Sequence, residues 1–150
     1  MGETRNTKKP YGYANPGQST KRRVLVVEDN SNIQDILSMI LYSMGFEVAL
    51  AKNGLEGLAV FLDGSFDMVL TDLQMPIMDG SRLARLIKES SPGTPVILLT
   101  GADMQTVKER IKDGPVDSVI FKPFNIDDFQ KTLQGALELR DAEPEGMRAV

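Results

Sequence analysis

The 150-residue sequence has no cysteine, no histidine and no tryptophan. Without cysteine the chain forms no disulfide, which is typical of proteins from a reducing compartment. Without histidine it has no Ser-His-Asp or Cys-His catalytic site, no histidine-based zinc site and no phosphohistidine of its own. No apolar run approaches the roughly 20 residues that cross a bilayer, and the polar N-terminus lacks a signal-peptide core. These features predict a cytoplasmic protein without membrane insertion.

Charge is distributed unevenly along the chain. The first 23 residues carry six basic side chains and one acidic side chain, a net charge of +5, so the other residues carry −9 of the total of −4. An acidic body disfavours nucleic acid as the main partner and predicts no direct DNA binding. Residues 1–21 are polar and rich in turn-forming residues, which predicts a disordered basic leader.

Five apolar runs, each bounded by turn-forming residues, are predicted to be buried strands: residues 24–27, 46–51, 68–72, 95–100 and 119–121. Between and after them, apolar residues recur at helical spacing, which predicts five amphipathic helices. The residues predicted to face the core from these helices are Ile33, Ile36, Leu37, Ile40, Leu41 and Met44; Leu55, Leu58, Ala59 and Leu62; Leu83, Leu86 and Ile87; Met104, Val107 and Ile111; and Ile126, Phe129, Leu133, Ala136 and Leu137. The predicted helix caps are Asp29 or Asn30, Asp79, Asp103 and Asn125.

This alternation predicts an α/β domain with a doubly wound, five-stranded parallel sheet and five flanking helices. Right-handed crossover connections restrict the sheet to a few strand orders. We place the domain at residues 22–139. Residues 140–150 are expected to form a flexible C-terminal tail.

Polar residues stand where four of the apolar runs stop. Glu28 and Asp29 follow the first run, Asp72 ends the third, Thr100 ends the fourth and Lys122 follows the fifth. Taken singly, each has a simpler explanation as a helix cap, a strand end or a solvated charge. In a parallel sheet, however, these ends share one edge, and ligands bind just outside it. We therefore expect the five side chains to converge.

The chemistry of this set is coherent. Three carboxylates held together repel one another unless a positive charge compensates. Mg²⁺ favours a few carboxylates together with water and a phosphate oxygen. Lys122 supplies a point charge suited to phosphate, and the Thr100 hydroxyl can donate to a phosphoryl oxygen. The set predicts Mg²⁺-dependent phosphoryl transfer with Asp72 as the carboxylate nucleophile.

Four short motifs carry these residues: VLVVEDN at 24–30, DLQMPIMDG at 72–80, LTG at 99–101 and KPF at 122–124. In this order and spacing they are highly specific. Over about residues 22–139 the chain closely resembles the receiver domain of bacterial two-component response regulators. The resemblance implies a flavodoxin-like fold with strand order 2-1-3-4-5.

The resemblance also implies roles for individual residues. A sensor histidine kinase or a histidine phosphotransfer protein would donate a phosphoryl group to Asp72. Asp29 and Asp72 would bind Mg²⁺ directly and Glu28 through water, and the backbone carbonyl of Gln74 would complete the protein ligands. Thr100 and Lys122 would hold the phosphoryl group, and the Lys122-Pro123 bond would be cis.

The expected protein is a stand-alone, chemotaxis-regulator-like receiver. It would switch the binding of a downstream effector protein or relay the phosphate onward. It would assist only its own phosphorylation and dephosphorylation, and would not be an enzyme acting on other substrates.

One position departs from the family pattern. The family usually has Tyr or Phe three residues before this lysine, and here that residue is Val119. The phosphorylation chemistry does not need that ring, but the usual transmission of the signal does. Gln74 and Ala102 flank the path of a hydrolytic water and are expected to tune the lifetime of the phosphoryl group.

Two other classes of protein fit the sequence less well. A phosphatase of the haloacid dehalogenase type also uses an Asp nucleophile and Mg²⁺, but it needs a second Asp two residues later, where this chain has Gln74. A dinucleotide-binding module would need Gly-x-Gly-x-x-Gly after the first strand, and that motif is absent.

Overall fold

The computed structural model describes residues 21–112 and 114–142, in which five strands alternate with five helices. The strands are β1 (Arg23–Val27), β2 (Glu47–Ala51), β3 (Met68–Thr71), β4 (Val96–Thr100) and β5 (Ser118–Phe121). The helices are α1 (Ser31–Ser43), α2 (Gly54–Asp63), α3 (Gly80–Ser90), α4 (Met104–Arg110) and α5 (Ile126–Ala142). The predicted leader before residue 21 and the predicted tail after residue 142 lie outside the described residues.

All five strands are parallel and lie in one sheet in the order β2-β1-β3-β4-β5. In the central pair, Val24 lies opposite Met68 and Val27 lies opposite Thr71. Parallel pairing with intervening helices brings the carboxyl ends of the strands to a single edge. The flavodoxin-like fold and its strand order are confirmed.

Polar side chains cap the helices. The Asn30 side chain accepts a hydrogen bond from the backbone N–H of Ile33, at 3.1 Å, so Asn30 and not Asp29 caps α1. Such caps satisfy backbone N–H groups that have no partner within the helix. The Asp29 carboxylate is therefore available at the sheet edge. The predicted caps of α3, α4 and α5 are confirmed as Asp79, Asp103 and Asn125.

Apolar layers cover both faces of the sheet. On one face, α1 and α5 bury a cluster that includes Leu41 and Phe129. On the other face, α2 and α3 bury a cluster that includes Phe61 and Ile87. Helix α4 adds a smaller cluster through Val107. Burial of these side chains is the main favourable contribution to folding, and α4 has the smallest share of it.

Several residues that were predicted to face the core are exposed instead, and for these the prediction was wrong. They are Ile36, Leu55, Ala59, Leu62, Met104 and Ile126. Met104 and Ile126 are the first residues of α4 and α5, at the helix ends rather than over the sheet. The apolar stripe of α1 is wider than the side of the helix that packs on the sheet. Leu37 is therefore buried, whereas its neighbour Ile36 is exposed.

The correction is largest in α2, whose buried face consists of two glycines and Phe61. A side chain at Gly57 would overlap the side chain of Val27 in β1. Glycine thus brings α2 close to the sheet and leaves Leu55 and Leu62 pointing outward, at 55% and 60% exposure. A pattern that counts only large apolar residues misses this face.

Helix α5 continues to Ala142, three residues beyond the predicted domain boundary. The Arg140 guanidinium donates to the Asp67 carboxylate at 2.7 Å, and Asp141 forms an ion pair with Arg22. Both contacts tie the end of α5 to the amino-terminal edge of the sheet, opposite Asp72. No helix within the described residues is long and apolar enough to cross a membrane.

The orientation of α2 can be tested with two adjacent residues. We expect Phe61→Ala to lower the free energy of unfolding by about 3–5 kcal/mol, because the ring is buried. We expect Leu62→Ala to change it by less than about 1 kcal/mol, because that side chain is exposed. Urea unfolding measures both, and equal losses would contradict the outward orientation of Leu62.

Candidate functional site

Three of the predicted site residues are placed by backbone hydrogen bonds that continue the sheet one residue past its strands. The Glu28 N–H donates to β2 at 3.0 Å, the Asp72 N–H to β1 at 3.0 Å and the Lys122 N–H to β4 at 2.8 Å. Because the strands themselves are buried and paired, these bonds leave little freedom to the backbone at the edge. The side chains of the site therefore start from fixed positions.

The structure brings the three predicted carboxylates together. Glu28, Asp29 and Asp72 each offer one oxygen, and these oxygens lie within 4.8 Å of one another. Glu28 is only 2% exposed, Asp72 is half-buried and Asp29 is exposed. The cluster thus has a buried floor and an opening to solvent on the Asp29 side.

Lys122 lies at the same cluster. Its Nζ is 3.2 Å from Oε1 of Glu28 and 3.4 Å from Oδ2 of Asp72. The lysine side chain is 22% exposed, so its charge acts in a partly desolvated setting. One ammonium group offsets only part of the charge of three carboxylates.

Burial and neighbouring charges act together on the Glu28 carboxyl. Burial raises the pKa of the Glu28 carboxyl, and the nearby Asp72 charge raises it further. The backbone N–H of Asn30, which donates to Oε2 at 3.1 Å, lowers this pKa, as does Lys122, but the net shift is upward. An additional cation would relieve this cost.

Thr100 ends β4 at the same edge of the sheet and is fully buried. Its Oγ1 accepts a hydrogen bond from the backbone N–H of Ala102 at 3.0 Å. That bond uses a lone pair of the hydroxyl and not its proton, so the proton can still be donated to a ligand.

Two further predictions for the site concern the Lys122-Pro123 bond and the carbonyl of Gln74. The Lys122-Pro123 bond is cis, as the resemblance implied. Gln74 is exposed in the loop after Asp72, and the metal-binding role of its carbonyl stays a prediction.

Val119 occupies the position where the family usually has an aromatic ring. It is half-buried in the cluster under α4, together with Val107 and Phe121. Phe121 lies on the same face of β5 as Val119, as the alternation of side chains along a strand requires.

Sequence reasoning missed Gln34. This residue lies in α1, and its amide donates to the backbone carbonyl of Glu28 at 2.7 Å and to that of Ala51 at 3.2 Å. It therefore braces the backbone of the buried carboxylate against β2. In the sequence, Gln34 is an amide beside the apolar positions of the predicted helix, which was the available signal. Its hydrogen-bond partners are seen only in the folded chain.

The donor set fits a hard divalent cation. Three carboxylates with neighbouring oxygens, one of them buried and raised in pKa, are the ligands that Mg²⁺ prefers, with water completing the shell. The open Asp29 side leaves room for that water and for a phosphate oxygen. Glu28, Asp29 and Asp72 are the described residues that could hold the ion.

Comparison with known proteins agrees with this geometry. Residues 24–134 match the family model of the response regulator receiver domain. The chain is 38% identical over 124 residues to the regulatory protein AtoC of Escherichia coli K12, and the match covers 82% of this chain and 27% of AtoC. This chain therefore spans much less than half the length of that relative.

Two solved structures extend the likeness. A CheY-like response regulator receiver domain protein from Methanospirillum hungatei superposes with a TM-score of 0.77 at 30% identity, covering 83% of this chain and 100% of that one. The response regulator TrrA from Thermotoga maritima, solved in complex with Mg²⁺ and BeF, superposes with a TM-score of 0.71 at 30% identity, covering 77% and 98%.

The raised pKa of Glu28 predicts a pH dependence. A carboxyl group whose pKa is raised on folding favours the folded state when it is neutral. This contribution to the free energy of unfolding is fully present below the unfolded pKa of about 4.3. It is lost as pH rises through the higher folded pKa. Glu28→Gln keeps the shape without the charge, so it should lose less stability than the parent as pH rises above about 4. Urea unfolding without divalent cations tests this, and parallel pH curves would contradict it.

Proposed function

This chain belongs to the response regulator receiver domains, and from that premise we propose that it is a phosphorylatable switch whose acceptor is Asp72. The observation that carries the proposal is the position of Lys122. Its ammonium group lies between the buried Glu28 and the half-buried Asp72, at the edge where all the strands end. This places a phosphate-binding charge directly beside a carboxylate nucleophile.

The proposed donor is a phosphohistidine on another protein, since this chain has no histidine. A sensor histidine kinase or a histidine phosphotransfer protein would supply it. A carboxylate oxygen of Asp72 attacks the phosphorus, the phosphorus–nitrogen bond breaks, and its electron pair returns to the imidazole nitrogen. The product is an aspartyl phosphate on this chain.

The other residues position and neutralise the transferred group. Lys122 shifts from its carboxylate partners to a phosphoryl oxygen, and the Thr100 hydroxyl donates to another. Mg²⁺, held by Glu28, Asp29, Asp72 and the carbonyl of Gln74, would supply the remaining positive charge when bound. Phosphoryl transfer needs mainly positioning and charge neutralisation, which this set supplies.

The proposed output is a change in the binding of a downstream effector protein, or onward relay of the phosphate. The chain would act only on its own phosphoryl group and not as an enzyme on other substrates. A phosphatase of the haloacid dehalogenase type is disfavoured because Gln74 cannot serve as the general acid. The proposal includes a cytoplasmic location, where ATP supports kinase phosphorylation. That the chain does not bind DNA directly stays a prediction, because AtoC extends well beyond the matched segment.

The acceptor can be identified with a small phosphodonor. With Mg²⁺ and acetyl phosphate, the protein should gain one phosphoryl group, and Asp72→Asn should gain none because an amide is not a nucleophile here. Intact mass spectrometry measures the gain. Asp103→Asn, which alters an exposed helix cap outside the cluster, should be labelled like the parent. Equal labelling of Asp72→Asn would rule out this acceptor.

Metal binding gives an independent test. Mg²⁺ should raise the melting temperature of the parent in a saturable manner, and Asp29→Ala should weaken the apparent affinity by at least about tenfold. The substitution should leave the fold intact because Asn30, not Asp29, caps α1. Asp35→Ala removes an exposed carboxylate of α1 and serves as the control. If Asp29→Ala responds to Mg²⁺ like the control, the cluster is not the metal site.

A further inference from the structure

The first turn of α3 is in close backbone contact with Asp72. Gly80, the first residue of α3, donates its N–H to the Leu73 carbonyl at 2.8 Å. A side chain at Gly80 would overlap the carbonyl of Asp72. Glycine is therefore required at this position for the helix to lie against the backbone of the acceptor residue.

The same turn is in close contact with the segment that follows α4. A side chain at Gly114 would overlap the backbone carbonyl of Ser81, and Gly114 is buried there. One turn of helix thus touches the Asp72 backbone on one side and the chain after α4 on the other. Neither contact can change without moving its neighbour, because both are backbone against backbone.

An ion pair adds a third contact. Asp79 caps α3 through Oδ1, which accepts from the Arg82 N–H at 3.0 Å and the Ser81 hydroxyl at 2.9 Å. Its other oxygen, Oδ2, accepts from Nη1 of Arg110, the last residue of α4, at 2.8 Å. A single carboxylate therefore fixes the start of α3 and holds the end of α4.

Helix α4 has few other attachments. It is seven residues long and buries one side chain, Val107, against Leu73 and Leu98. A short helix held by one small apolar cluster and one partly exposed ion pair can change position at a small energetic cost. Transmission of a signal requires an element that can take two arrangements, and a short, lightly held helix is suited to that role.

We propose that the first turn of α3 couples Asp72 to the C-terminal end of α4, with Arg110 and Gly114 as positioning residues. This rests on the proposed phosphorylation of Asp72. A phosphoryl group there shifts the backbone that Gly80 touches, and Asp79 carries the shift to Arg110. The route bypasses residue 119, where this chain has valine, and by reciprocity a partner bound at the end of α4 changes phosphoryl acceptance at Asp72.

The test follows backbone amide chemical shifts on addition of Mg²⁺ and beryllofluoride, which mimics the phosphoryl group. Two regions report separately: the acceptor loop (residues 73–81) and the α4 end (residues 107–112). In the parent both should respond. In Arg110→Gln the acceptor loop should respond as before, whereas the chemical-shift response of the α4 end should fall several-fold, because the ion pair with Asp79 is lost.

Matched variants separate the ion pair from net charge and from loss of structure. Arg85→Gln removes a positive charge from the same α3–α4 cavity, and Arg85 forms no ion pair with Asp79 among the described contacts, so it should behave like the parent. Asp79→Asn keeps an oxygen that caps α3 but loses the ion pair, so it should reproduce Arg110→Gln. The double variant Asp79→Asn/Arg110→Gln should show no further loss of the α4 response than either single variant.

An undiminished α4 response in Arg110→Gln, an equal loss in Arg85→Gln, or an acceptor loop that responds in the parent without the α4 end would each overturn the coupling. If the acceptor loop itself does not respond in the parent, it is the proposed phosphorylation that fails. The apparent affinity for beryllofluoride gives the reciprocal readout, and it should change in Arg110→Gln but not in Arg85→Gln.

Discussion

Mutual repulsion among three carboxylates at one edge of the sheet is the constraint on which this site depends. Parallel pairing fixes the backbone of Glu28 and Asp72, and Gln34 braces the carbonyl of Glu28, so the side chains cannot move far apart. Lys122 reduces the repulsion but does not cancel it, as the raised pKa of the buried Glu28 shows. A divalent cation would complete the charge balance, and together with Lys122 it would also offset the negative charge that a phosphoryl group brings to the proposed acceptor.

The two sides of the site differ in stiffness. On the α2 and α3 side, glycines allow helices to contact the sheet and the acceptor loop at backbone distance, and contacts of that kind transmit displacement because they cannot be compressed. On the α4 side, a small apolar cluster around Val107 and one partly exposed ion pair hold the helix. Rigid contact next to the proposed acceptor, together with a lightly held helix farther away, suits the proposed switch.

The difference between the two sides of the site matters because residue 119 is a valine. A β-branched side chain has a narrow choice of rotamers, and here it packs with Val107 and Phe121 under α4. A switch based on rotation of a ring at this position is therefore not available to the chain. The contacts around Asp79 offer a connection between acceptor and α4 that is built from backbone and charge rather than from an aromatic side chain.

Sequence patterns alone predicted the strands, most of the helix caps and the meeting of Glu28, Asp29, Asp72 and Lys122 at one edge of the sheet, and the family resemblance supplied the strand order. These follow from local patterns, from the rules for parallel sheets and from motifs at the strand ends. Tertiary packing was needed to show that glycines form the buried face of α2, that Gln34 braces Glu28 and that Arg110 pairs with Asp79. The reason is physical: a strand end or a cap is set by neighbours along the chain, whereas these contacts depend on how closely and at what rotation separate elements meet.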